Sequence, residues 1–273
     1  MTGGMLAYGF VQRALVSGLL IAVACALLGV FLVLRKEAMV GHGFSHIAFF
    51  GVAAGLFLRV MPLAAALVIS VLAALAMRGL KEKAGIHGDT AIGILSSLGM
   101  ALGIILASLS RGFGVELMGY LFGDILAISP AEVWLAAALS GVVILAVVLN
   151  YPKLLLMTFD LQSARVAGID VKKLDALLVS LTATTVVLGM KITGLLLVAA
   201  LLVIPAAAGL QAASSFRSAM TSAAVAAVLS VLAGIFAAME LDIPASASVV
   251  LAGMAVFGLF YLWKRVRRGP RPD

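Results

Sequence analysis

The sequence predicts an all-α membrane protein of about nine spanning helices, organised as a single domain over residues 1–273. Three observations carry that prediction. Hydrophobic residues make up 64% of the chain and charged residues 11%, where a soluble domain has about 25% charged residues. Mean hydropathy is +1.22, with long apolar runs recurring from end to end. Polar residues are confined to short stretches between those runs. At about 20 residues per crossing, eight or nine helices use roughly 160–180 residues. What remains suffices for loops and a basic tail, not for a separate soluble domain.

The elements follow in order. Residues 1–12 read as an interfacial lead-in with turn glycines. The first charge is Arg13, so the start lacks the basic stretch of a cleavable signal. The first span covers 14–34 and stops at Arg35 and Lys36. Cys25, alone in the chain, sits mid-span as a small packing residue. The second span covers 44–58 and ends near Arg59 and Pro62. The third covers 63–77, followed by a polar loop over 78–89. The fourth covers 91–109. Residues 110–130 form a Gly-rich connection with Glu116 and Asp124. The fifth span covers 133–149, with Glu132 at its mouth. Residues 151–175 are the longest polar interior segment. The sixth span covers 176–190 and the seventh 195–210, joined by a tight turn at Lys191–Gly194; Pro205 is expected to break the seventh. The eighth covers 220–239, an acidic turn follows at 240–244, and the ninth covers 249–263. The tail is 264–273.

Basic residues orient the chain. With the tail in the cytoplasm and nine alternating spans, 15 of the 19 Lys and Arg residues fall on the inner side. Only Arg13, Arg59, Arg111 and Lys191 fall outside. The N-terminus is therefore expected outside and the C-terminus in the cytoplasm, with the count sensitive to whether both spans around Lys191 cross. The formal charge of +7 is a topology signal with lipid contacts, not a nucleic-acid footprint.

The chemistry concentrates in residues 39–52. His42 and His46 are two of the three histidines, and four-residue spacing puts both imidazoles on one helix face. Two neutral imidazoles so placed can hold a divalent transition metal. The alternative is a pair of interfacial histidines bonded to backbone carbonyls. Small residues at Gly51/Gly55 and Gly99/Gly103 are spaced for close helix contact.

Absences also direct the reading. The chain has no phosphate-binding GxxxxGK[ST] loop and no Asp or Glu in the middle of a span. Ion-driven carriers usually need intramembrane carboxylates. A transporter without its own energy site is a passive channel or takes work from a partner. Residues 152–175 fit the second option. Over 159–168 they can form a short amphipathic helix, with Leu161, Ala164 and Val166 towards the membrane body, Asp160, Gln162 and Arg165 outward, and Gly168 as the stop. Ala167 belongs to the same face-to-partner segment. The alternative is a solvated loop on the lipid surface.

In this order and spacing, residues 29–35, 41–46 with Gly51, 119–126, 159–168, and 191–199 with Ile204–Pro205 resemble the membrane permeases of bacterial ABC importers for zinc, manganese or iron. The resemblance spans nearly the whole chain. It implies a fold like a shortened vitamin B12-type importer permease. It implies a homodimer of this chain, two cytoplasmic ABC ATPase subunits, and an extracytoplasmic metal-binding protein, in the cytoplasmic membrane. It implies a transport subunit rather than an enzyme, with no permanent cofactor and with zinc or manganese as cargo. It makes 152–175 the ATPase-coupling segment and His42 and His46 the path site, although many family members carry Asp where His42 stands. Two imidazoles suit zinc; manganese prefers oxygen. Expected docking residues for the binding protein are Glu116, Glu240, Arg59 and Arg111. The competing expectations are an ATP-independent metal carrier or channel, and a permease for a metal chelate.

Overall fold

The computed structural model describes residues 8–109, 119 and 128–268. Among them are eleven α-helices and no strand: α1 Gly9–Leu34, α2 Val40–Phe57, α3 Pro62–Lys83, α4 Gly88–Leu109, α5 Pro130–Leu149, α6 Tyr151–Phe159, α7 Leu161–Val166, α8 Val171–Thr193, α9 Leu195–Ala212, α10 Phe216–Leu241 and α11 Ala245–Arg268. Nine of these are long and apolar enough to cross a membrane; α6 and α7 are not.

Each spanning helix runs past the apolar stretch that announced it. The reason is local chemistry at the ends. Pro62 sits at the start of α3, where its missing N–H costs nothing. At the other end α3 continues to Lys83, where lysines complement the helix dipole and keep their heads in water. Ser129 and Glu132 form a capping box on α5. Asp170 caps α8 by accepting from the Lys173 N–H at 3.1 Å, so α8 starts five residues before the expected span. Ser215 caps α10 in the same way. α8 and α9 are separate helices because Gly194, at φ 88°, turns the chain sharply between them.

The seventh span departs from expectation at Pro205, which lies inside an unbroken α9. Proline removes one backbone bond. Pro205 is itself buried between neighbouring helices, and that packing holds the helix through the defect.

α1, α2, α8 and α9 are the most buried spans and form the centre. α3, α4, α5 and α11 flank them and expose large apolar residues such as Leu72, Ile104, Trp134 and Leu251, as a lipid-facing surface does. Close helix contact comes from small residues. A Cβ on Gly51 would lie 2.4 Å from Ala66 Cα, and one on Gly55 2.6 Å from Pro62 Cα, so α2 and α3 touch backbone to backbone. Gly99 and Gly103 do the same for α4 against Ile47, Phe49 and Phe50 of α2. Both pairs have the packing role their spacing suggested.

Candidate metal path

His42 and His46 lie in the first two turns of α2, which begins at Val40, earlier than the apolar run implied. His42 is exposed and His46 half-buried. Their Nε2 atoms are 3.1 Å apart, and the rings stand nearly perpendicular, with centroids 4.6 Å apart. A tetrahedral zinc with Zn–N bonds of about 2.05 Å holds its ligand nitrogens about 3.3 Å apart. The pair is thus set at close to ligand spacing. The flanking glycines place it: a Cβ on Gly41 would fall 2.4 Å from Leu202 Cδ1, and one on Gly43 2.2 Å from Ile92 Cγ1. α2 is therefore pressed between α9 and α4, with the imidazole face left open. Among the described residues, no group of three or more His, Cys, Asp or Glu side chains is close enough to hold a metal. Other positions around an ion at this pair are open to water or to groups beyond the described residues.

The same end of the molecule carries residues 151–170. Tyr151 and Phe159 of α6 pack on Phe216 of α10, which also meets Phe31 of α1. Asp160 caps α7: its Oδ1 accepts from the Gln162 N–H at 3.0 Å and the Ser163 N–H at 2.9 Å, and its Oδ2 from the Ser163 hydroxyl at 2.5 Å. These bonds, the Ser163 hydroxyl first, hold the carboxyl below the usual carboxylate range. Gly168, at φ 74°, ends the helix, with its N–H to Arg165 O at 3.1 Å and the Ile169 N–H to Ala164 O at 3.1 Å.

The helix is shorter than the expected 159–168, and its inward face is narrower. Ala164 is fully buried. Leu161 and Val166, expected to face the body, are exposed, Val166 at 90%. The reason is angular: residues two apart on a helix differ by about 200°, so Ala164 and Val166 cannot share a face. Leu154 and Met157 of α6 are buried instead and seat the segment. Asp160, Gln162 and Arg165 are exposed, as expected, and so is Ala167. A cavity of about 570 Å³ opens beside α7, lined by Arg35, Arg78, Lys81, Arg165 and Lys172 among others.

One cluster at this end was not foreseen. Arg35 pairs with Asp175 and lies 3.6 Å from Glu37. Lys81 Nζ is 2.6 Å from Glu37 and 3.4 Å from Asp175. In the sequence Arg35 and Glu37 share the short α1–α2 connection, whereas Lys81 and Asp175 belong to distant helices that no spacing links to it.

At the opposite end, Lys191 reaches Glu132 at 2.8 Å, tying α8 to the start of α5. Arg59, at φ 55°, ends α2 there, and Glu240 lies in the last turn of α10. Both are exposed. Arg111, Glu116 and Asp124 lie outside the described residues.

Comparison with known proteins agrees with this architecture. Residues 7–264 match the model of the ABC 3 transport family. The high-affinity zinc uptake system membrane protein ZnuB of Haemophilus influenzae is 36% identical over 93% of this chain and 97% of its own. The manganese transport system membrane protein MntC of Halalkalibacterium halodurans is 32% identical over 95% of this chain and 89% of its own. Among solved structures, PsaBC from Streptococcus pneumoniae in complex with Fab superposes with a TM-score of 0.84 at 28% identity, covering 95% of this chain and 93% of the other. With nine of the described helices suited to crossing a membrane, relatives named as transport and uptake system membrane proteins, and a match over nearly its whole length, the chain is a multi-pass transport subunit rather than an enzyme and belongs to the ABC 3 transport family.

Proposed function

We propose that this chain is the permease of an ATP-driven importer that moves a divalent transition metal, zinc first, into the cytoplasm. The 3.1 Å separation of the His42 and His46 nitrogens on an open helix face carries the reading. Neutral imidazoles suit zinc, and a site with two protein ligands binds loosely enough to release. The ion enters from the end carrying Arg59 and Glu240, where an extracytoplasmic metal-binding protein docks, and leaves past the histidine pair. The cytoplasmic side is the end with Arg35, Arg78, Lys81, Lys83, Lys172 and Arg217, by the excess of basic residues. That places the N-terminus outside.

Work comes from separate ABC ATPase subunits docked on α7. Its capped, outward-facing surface of Gln162, Arg165 and Ala167 offers them a rigid contact. The exposed face of α4, beside the open histidine face of α2, seats a second copy of this chain, and the two copies enclose the path in the inner membrane. Manganese is the second reading, supported by the manganese transport relative.

Reconstitution with the ATPase in proteoliposomes tests all of this. Zinc should accumulate only with ATP. His42→Ala and His46→Ala should each cut uptake while leaving ATPase binding intact. Full uptake by the double variant would refute the path site. Manganese uptake exceeding zinc would move the assignment to manganese. Metal entry through the chain alone, without ATPase or ATP, would make it a channel.

A further inference from the structure

We propose that Arg35, Glu37, Lys81 and Asp175 form the joint through which movement of residues 151–170 positions the first turn of α2, and with it His42 and His46. The inference rests on the transport reading above. The four side chains alternate in sign and come from three places: Arg35 and Glu37 from the α1–α2 connection, Lys81 from α3 and Asp175 from the start of α8. Glu37 and Asp175 are buried.

Each side of the cluster touches a part that must communicate. Towards the coupling segment, the Arg35 guanidinium also donates to Met157 Sδ at 3.6 Å. Met157 is buried on α6, just ahead of the Asp160 cap. Asp175 lies in the first turns of α8, which follows directly from Gly168 and Asp170. Towards the histidines, Glu37 is part of the turn that launches α2. Its carbonyl accepts from the Val40 N–H at 3.1 Å, and its own N–H donates to Leu32 O at 2.8 Å. Its neighbour Lys36 is held at φ 58°, an uncommon conformation for a side-chain-bearing residue that the surroundings must enforce. α4 closes over the same carboxylate, since a Cβ on Gly88 would lie 2.7 Å from Glu37 Oε1. The turn five residues before His42 is therefore clamped by α1, α3 and α4 at once.

Stability alone is a weak reason for such a cluster. Burying two carboxylates against two half-buried cations costs in desolvation about what their attraction returns, and apolar residues would hold the helices as well. What alternating charges at a packed joint add is discreteness. Displacing Asp175 leaves Glu37 as the one carboxylate in the cluster facing both Arg35 and Lys81. The cluster therefore moves as a unit or re-pairs, and either event shifts Glu37 and the start of α2.

The test uses the complete reconstituted complex with zinc as the probe. Glu37→Gln combined with Lys81→Met removes one charge of each sign and leaves Arg35 and Asp175 paired. This variant should assemble and hydrolyse ATP, while zinc moved per ATP falls about tenfold, an ordinary size for coupling between sites. Lys81→Arg should keep the wild-type ratio. In the wild-type complex, ATP binding should change amide hydrogen exchange over residues 36–46. A double variant with the wild-type ratio overturns the proposal. So does unchanged exchange over 36–46 in a wild type that transports, which decides the matter even where the double variant fails to assemble. A wild-type complex that hydrolyses ATP and moves neither zinc nor manganese overturns the transport reading instead.

Discussion

Gly51→Ala should separate α2 from α3, and the contact geometry sets the size of the effect. The added methyl would lie 2.4 Å from Ala66 Cα, 3.1 Å from its Cβ and 3.1 Å from its nitrogen. Carbon atoms pack at about 3.5–4.0 Å, so the helices must part by about 1 Å at this crossing. The obstacle is backbone and cannot rotate away. Overpacking of this kind costs about 1–3 kcal/mol. A clash with backbone sits in the upper part of that range, about 2–3 kcal/mol; alanine's better helix propensity returns up to about 1 kcal/mol, leaving a net loss of about 1–2 kcal/mol or more. At about 2–4 °C per kcal/mol for a chain of this size, thermal unfolding of the purified permease should drop by several degrees. Gly93→Ala is the matched control. Nothing lies within 4 Å of its Cβ position, so only the propensity gain remains and its melting point should equal or exceed wild type. Equal melting of Gly51→Ala and wild type, or an equal drop in Gly93→Ala, would refute the reasoning.

Three further outcomes are expected. Ala167→Arg puts a long charged chain on the exposed side of α7; ATPase binding or zinc moved per ATP should fall while the melting point stays, and unchanged coupling would remove α7 as the contact. Asp160 has a lowered folded pKa, so its capping contribution is complete above its ordinary value of 3.8 and is lost as pH falls through the lower folded value; amide exchange at Gln162 and Ser163 should gain an acid step below about 3.8 that Asp160→Asn lacks. Reversing the charges of Arg59 and Glu240 together should slow association of the extracytoplasmic metal-binding protein and weaken its salt dependence, whereas an unchanged on-rate would exclude both as contacts.

Much of the fold was legible because the bilayer imposes one rule on the chain. Backbone groups in hydrocarbon must bond within their own segment, so each long apolar run is a helix. The nine runs gave nine spans, and Lys191–Gly194 gave the tight turn. Span ends were less legible, because a helix continues past its apolar stretch wherever a cap or a snorkelling lysine supports it. The start of α2 at Val40 and of α8 at Val171 show this. Pro205 misled for the opposite reason: a local helix breaker was overruled by the helices packed around it.

The candidate site divides along the same line. The histidine pair, the stop at Gly168 and the two GxxxG contacts are local patterns of one or two helical turns, and the sequence by itself determined them. The face of α7 that turns inward, the open setting of the imidazoles between α9 and α4, and the cluster of Arg35, Glu37, Lys81 and Asp175 were decided only by tertiary structure. The four charged residues are spread over 140 positions and look like ordinary loop charges. Helix packing brings them within bonding distance, and no periodicity within one helix can encode a contact made among separate elements.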